Sequence, residues 1–179
     1  MKIYVTRHGQ TDMNVKELLN GKRSDEDIND TGIQQAKIIS EFMKDKKVDL
    51  IISSPMLRTR HTSEIINVKC APIIEDDRII DLDLGNGTFK GYDYMIFEDY
   101  YNLNRKGSYK DIEDIDKLIK RVYDFLDSLK EKNKRETILI VTHAAVAKVI
   151  HMYFYGIPKS NNIDEYYLEN CQIREYEML

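Results

Sequence analysis

The sequence predicts an α/β fold in which a central parallel sheet is covered on both faces by helices. Three observations predict it. Short β-branched runs alternate with longer stretches of helical periodicity. Two of those runs, Val48 to Ser53 and Thr137 to Thr142, are nearly continuous in apolar residues, as strands buried on both faces are. Finally, 179 residues with 42% hydrophobic content can bury a substantial core, and we expect one domain over residues 1–179.

The elements follow in order. Lys2 to Thr6 reads as the first strand. An Asx cap at Asn29 or Asp30 opens a helix whose apolar stripe is Ile33, Ala36, Ile39, Phe42 and Met43. The strand ending at Ser53 feeds a second helix, with Arg58 one turn in. Leu118, Ile119, Val122, Phe125, Leu126 and Leu129 repeat the helical spacing before the Thr137 strand. Ala145 to Tyr155 then forms a helix closed by Gly156 and Pro158.

Composition narrows the function. With 27 basic and 31 acidic residues the net charge is −4, so no basic field is present to hold nucleic acid and no polybasic arm to hold a membrane. No apolar run approaches the roughly 20 residues of a spanning helix, and no signal-peptide pattern is seen, which predicts a cytoplasmic protein. Cys70 and Cys171 have no metal-binding or disulfide spacing and read as buried small apolar residues. No heptad pattern indicates an oligomeric state.

The residues just after the three strands carry the chemistry. They are Arg7-His8-Gly9, Ser53-Ser54-Pro55 with Arg58, and His143-Ala144-Ala145. In a parallel sheet these carboxyl ends share one edge, where open α/β sheets build their sites. A histidine there can be a base, a ligand or a nucleophile. Two histidines and two arginines, without a cysteine or an HExxH pair, favour an anion site over a metal site.

Arg7-His8-Gly9-Gln10-Thr11 followed by Asn14 resembles the opening signature of the histidine phosphatase superfamily. Asn20-Gly21, then Ile28-Asn29-Asp30-Thr31-Gly32 with Gln35-Ala36, resembles its QG and LTxxGxxQA stretch. Ser53-Ser54-Pro55-Met56-Leu57-Arg58-Thr59-Arg60 with Thr62 resembles SSPLxRAxxT, and Val141-Thr142-His143-Ala144 resembles VSHGG. The similarity runs in order over nearly the whole chain. It implies a three-layer sandwich with a mostly parallel central sheet, the phosphoglycerate mutase-like fold.

The expected chemistry can be stated from the residues. A phosphomonoester is shielded by its negative oxygens, so a site must neutralise them before a nucleophile approaches. Arg7 and Arg58 can do so bidentately, Asn14 adds an amide donor, and His143 donates to another oxygen. Two guanidinium groups also keep His8 neutral and nucleophilic. The resemblance implies that His8 becomes a phosphohistidine, which water then hydrolyses. Gly9, Gln10, Thr11 and Gly21 of the matched motifs, with Lys22, Arg23 and Lys90, are candidates for substrate contact.

A leaving alkoxide needs a proton, which relatives take from a glutamate in an LxE stretch before a glycine-bounded turn. Here Ile79-Ile80-Asp81-Leu82-Asp83-Leu84-Gly85 departs from that pattern. A gapless register on Gly87-Thr88-Phe89-Lys90-Gly91 names Asp83 and is preferred; matching Ile79-Ile80-Asp81 to LxE names Asp81. In a strand-like stretch the two carboxyl groups would share a face and raise one pKa by repulsion. Residues 85–115, which hold Tyr92, Tyr94, Phe97, Tyr100, Tyr101 and Tyr109, are expected to form a lid or side wall. His61, His151 and Arg60 read as structural.

The expected function is therefore a phosphomonoester hydrolase acting on a small phosphorylated metabolite, without cofactor or metal. The alternatives are a phosphoglycerate-type mutase and a catalytically weak phosphate-binding protein.

Overall fold

The computed structural model describes residues 1–105, 109, 111–132 and 136–179. Five strands, β1 (Lys2–Arg7), β2 (Leu50–Ser53), β3 (Ile73–Glu75), β4 (Thr137–Thr142) and β5 (Ile173–Glu177), form one sheet in the order β3-β2-β4-β1-β5. All neighbours run parallel except β5, which pairs antiparallel with β1. The helices are α1 (Asp12–Val15), α2 (Asp30–Met43), α3 (Leu57–Ile66), α4 (Phe97–Tyr100), α5 (Ile115–Lys132) and α6 (Ala144–Tyr155).

Period-two alternation explains the three layers. Ile138 and Ile140 of β4 face one way with Ile3, Val5 and Ile52, packing on Leu118, Val122 and Phe125 of α5 and on Val146 and Ile150 of α6. Leu139 and Val141 face the other way with Tyr4 and Ile51, against Ala36, Ile39 and Met43 of α2 and Ile66 of α3. Both faces of β4 are thus apolar, which is why its sequence reads as a continuous run. The central sheet predicted from the three runs is present.

The structure departs from the expectation at several points. Phe42 is exposed, because α2 rotates Met43 rather than Phe42 into the core. Cys70 is exposed too, in a left-handed turn at φ 54°, whereas Cys171 is buried as expected; neither is paired. β2 begins at Leu50, two residues later than read. β3 and β5 carried no usable signal: β3 is three residues with every one exposed, and β5 buries only Tyr176. No described helix is long and apolar enough to cross a membrane.

The start of α2 fixes the loop after β1. Asn29 caps it by accepting from the Gly32 N–H at 3.0 Å, and Asn29 N–H in turn donates to Gln10 O at 2.9 Å. This crossing is so close that a Cβ on Gly32 would lie 2.3 Å from Gln10 O, and one on Gly9 would lie 2.6 Å from Gly32 O. Glycine is required by approach, not by backbone angle. Gly32→Ala is expected to destabilise the fold by about 1–3 kcal/mol, as overpacking does. Equilibrium denaturation checks this, and a wild-type midpoint would contradict the close packing.

Candidate active site

The parallel register brings the three strand ends together. Arg7 pairs with Thr142 and Ser53 with Val141, so His8, Ser54 and His143 each follow at the same level of the sheet. His8 N–H donates to Thr142 O and Ser54 N–H to Val141 O, both at 3.0 Å, extending the ladder one step beyond the strands. The rings of His8 and His143 stand 5.3 Å apart.

Both histidines are buried, and the hydrogen bond of His8 fixes its tautomer. His8 Nδ1 lies 2.7 Å from Gly9 O. A carbonyl only accepts, so Nδ1 carries the proton and Nε2 keeps its lone pair. His143 Nε2 lies 2.8 Å from Ser54 Oγ, and a hydroxyl that donates to it leaves the proton of the neutral ring on Nδ1. That Nδ1 is 3.5 Å from Asp81 Oδ2. Burial first, then Arg58 and Arg7, hold both imidazoles well below the ordinary histidine value, so both are neutral near pH 7.

Arg58 is fully buried. Its Nη1 donates to Ser24 O at 2.8 Å, and its Nη2 to Gly21 O at 3.0 Å and Asp81 Oδ2 at 2.9 Å. Arg7 Nη1 donates to Tyr167 Oη at 2.7 Å. Asn14 is oriented by its own helix start: its Oδ1 accepts from the N–H of Thr11, the N-cap of α1, at 3.1 Å and from Asn170 Nδ2 at 3.3 Å. The Asn14 amide N–H groups face the cavity wall, where one donates a hydrogen bond to the Tyr92 hydroxyl.

Four buried side-chain atoms have no hydrogen-bond partner among the described residues: Arg7 Nε, Arg58 Nε, His143 Nδ1 and Asn20 Oδ1. An unmet buried donor costs roughly 1–3 kcal/mol, so natural folds keep few of them. Here three belong to the residues expected to cradle a phosphate, around a histidine on which both guanidinium groups act. The oxygens of an oxyanion could meet such donors.

A cavity of about 220 Å³ opens beside this cluster. Arg7, His8, Asn14, Gly21 and Asp81 line it; Arg58 and His143 do not, but touch Asp81 and His8, which do. Asp83 lies elsewhere. Its carboxylate binds Arg23 Nε at 2.7 Å and Lys22 Nζ at 3.1 Å. Burial pushes the Asp83 carboxyl up, but Arg23, the Gly85 N–H and Lys22 outweigh it and hold it down to about 2. Such a group has no proton to give near neutrality. The shared-face expectation fails because residues 81–84 form no strand and the two aspartates have different partners.

The other candidates sort by what already occupies them. Gly9 N–H donates to Thr62 Oγ1 and Gln10 N–H to Gln35 Oε1, so both serve the loop. Thr11 is buried as a cap, its Oγ1 also accepting from Asn20 Nδ2. Lys22 is engaged by Asp83, and Lys90 is exposed outside the cavity. Tyr92, Phe97 and Tyr101 from the 85–115 segment line the cavity, and Tyr100 is buried. Positions 106–108 and 110 of that segment lie outside the described residues.

Sequence reasoning missed two features. Arg121 of α5, paired with Glu113 at 2.8 Å, donates to Arg78 O at 2.7 Å, Ile80 O at 2.8 Å and Asp81 O at 3.3 Å. It clamps the backbone that carries Asp81. Lys148 of α6 also lines the cavity, buried and bonded to Asp164 Oδ1 at 2.6 Å. A lone lysine in the mostly apolar run Ala144 to Ile150 was the available signal.

Comparison with known proteins finds relatives in both sequence and fold. The chain is 31% identical over 144 residues to the uncharacterized phosphatase PhoE of Bacillus subtilis, covering 80% of this chain and 72% of that protein. It is 23% identical over 186 residues to phosphoserine phosphatase 1 of Hydrogenobacter thermophilus, covering all of this chain and 86% of that protein. In fold it is similar to YhfR of Bacillus stearothermophilus, with a TM-score of 0.85 at 24% identity over 98% of this chain and 90% of that one. The family model for the histidine phosphatase superfamily, branch 1, matches residues 3–178, and this chain belongs to that family.

Proposed function

We propose that this enzyme hydrolyses phosphomonoesters in two steps through a phosphohistidine on His8. One observation carries the reading: a neutral, buried imidazole with Nδ1 tied to a carbonyl and Nε2 free, flanked by two guanidinium groups. The phosphoryl group docks on Arg7, Asn14 and His143 Nδ1–H, with Arg58 adding charge from behind. Its oxygens are neutralised by side chains in a water-poor site, where each donor counts for more.

His8 Nε2 attacks phosphorus, forming the N–P bond as the P–O bond to the alcohol breaks. Asp81 gives its proton to the leaving alkoxide. Water then attacks phosphorus, the N–P bond breaks, Asp81 takes the water proton and inorganic phosphate leaves. Covalent catalysis thus splits one hard displacement into two. Arg7 and Arg58 supply the positive charge, so the reading is metal-independent. Tyr92, Phe97 and Tyr101 act as a side wall over a small phosphorylated metabolite. The unpaired cysteines suit a reducing, cytoplasmic setting.

His8→Ala is expected to lower phosphate release from an aryl phosphate by on the order of 10³-fold or more, as loss of a covalent nucleophile does. Retained turnover would remove the phosphohistidine. Asp81→Asn is expected to slow an alkyl phosphate by roughly 10²-fold or more, and an aryl phosphate far less, because only the alkoxide needs the acid. If Asp83→Asn shows that pattern instead, the acid is Asp83.

The neutral histidines also give a folding signature. Their folded values are depressed below the unfolded value of 6.5, so the unfolded chain binds more protons in acid. Stability is therefore full above about pH 6.5 and falls on acidification, by about 1.4 kcal/mol per pH unit for each histidine. Thermal melts between pH 7 and 5 should show this slope reduced in His8→Ala. An unchanged slope would mean His8 is not held neutral by the fold.

A further inference from the structure

The cavity carries a second pair of charges that phosphoryl transfer does not use. Lys148 Nζ is buried, 2.6 Å from Asp164 Oδ1, and lies over the ring of Tyr101 at 3.9 Å and that of Tyr167 at 5.4 Å. Asp164 is about a third exposed, and both residues line the same cavity as Arg7 and His8. Burying an ammonium is costly even when it is paired, and an apolar residue of similar volume is often as stable there. Stability alone does not account for a lysine at this position.

Three features define what such a pair can read. An ammonium has three donors, and the hydrogen bond seen for Lys148 Nζ among the described residues is to Asp164 Oδ1. One face of the ammonium meets Tyr101, which leaves donor capacity for a ligand anion. Asp164 spends Oδ1 on Lys148, and its exposure leaves the carboxylate open to a ligand cation. The two charges therefore present a matched, oppositely signed pair to whatever occupies the cavity.

Distance and charge then limit the occupant. Lys148 is five residues along α6 from His143, a rise of about 7.5 Å, so the second subsite is a few bonds from the phosphoryl site. The cavity of about 220 Å³ is below the roughly 300–1,000 Å³ of pockets for drug-sized ligands. With Asp81 protonated, as the first step requires, Arg7, Arg58 and Lys148 outnumber Asp164 by two positive charges. An O-phosphorylated amino acid carries two net negative charges: a phosphate dianion, a carboxylate and an ammonium. A phosphorylated hydroxy acid without the ammonium carries three and leaves Asp164 facing a like charge.

We propose that Lys148 and Asp164 form a specificity subsite that binds the carboxylate and the ammonium of a small phosphomonoester of the O-phospho-amino-acid class. Lys148 takes the carboxylate and Asp164 the ammonium, while Tyr101 and Tyr167 hold the lysine in place. This assignment rests on the hydrolase reading above. It adds which alcohol the enzyme prefers.

The test compares kcat/KM for four esters: O-phosphoserine, 3-phosphoglycerate, phosphoethanolamine and glycerol 3-phosphate, with an aryl phosphate alongside. O-phosphoserine is expected to be the best of the four. Lys148→Met keeps the unbranched stem against Tyr101, and Asp164→Asn is isosteric and partly exposed, so the second carries the test if the first lowers the yield of folded protein. Lys148→Met is expected to lower the ratio of O-phosphoserine to phosphoethanolamine by about 10- to 100-fold, mainly through KM, the size of a lost charged hydrogen bond. Asp164→Asn should lower the ratio of O-phosphoserine to 3-phosphoglycerate in the same way. Equal turnover of all four esters, or variants that lower all four alike, would overturn the subsite and leave the hydrolase intact. A wild-type preference for 3-phosphoglycerate would overturn the role of Asp164. Failure of the wild type to release phosphate from any ester, the aryl phosphate included, would overturn the hydrolase reading itself.

Discussion

The burial of Arg58 organises the structure around it. A guanidinium removed entirely from water must be met by polar partners, since an unpaired buried charge would cost far more than the fold can spare. Its three partners come from two segments: carbonyls of Gly21 and Ser24 in the loop after α1, and the carboxylate of Asp81 before the 3₁₀ turn at Gly85. One side chain on α3 thereby ties two irregular segments to the sheet edge. Gly21 adopts φ 63°, a left-handed conformation that puts its carbonyl within reach, and a Cβ there would lie 2.9 Å from Leu82 O. The loop has its shape because the arginine must be satisfied.

The same charge sets the chemistry of the histidines. Imidazolium beside two buried guanidinium groups is unfavourable, so His8 and His143 remain neutral. Neutrality makes tautomers matter, and neighbours decide them: the Gly9 carbonyl takes the His8 proton contact and the Ser54 hydroxyl takes His143 Nε2. One ring therefore presents a lone pair and the other a proton. A base and a donor arise from one residue type, differing only in which nitrogen is already occupied.

Around this centre a second layer holds the carboxylate in place. Arg121, held by Glu113, donates to the carbonyls of residues 78, 80 and 81, and Thr142 Oγ1 adds a bond to Ile79 O. Backbone without strand or helix is otherwise free to move, and these bonds substitute for a ladder. Asp81 is aimed at Arg58 and His143 by this scaffold, whereas Asp83, two residues on, is drawn out by Lys22 and Arg23.

The sequence by itself determined the sheet core, the three strand-end clusters and the family, because each is written in local pattern. Continuous apolar runs, the Asn29 cap and Gly156 at the end of α6 all act through nearest neighbours, so they are legible one segment at a time. Arg7, His8, Arg58 and His143 could be nominated for the same reason, each lying at or within a few residues of a strand end, and Asn14 through the motif that resembles the family's opening signature. Tertiary structure alone decided between Asp81 and Asp83 as neighbours of the cluster, since their difference lies in partners more than 20 residues away. It also decided that Lys22 is engaged, that Lys148 and Asp164 face the cavity and that Arg121 clamps the loop. Ion pairs and hydrogen bonds across long chain separations leave no period and no spacing in a sequence, so charge says that a residue needs a partner but only the fold says which one.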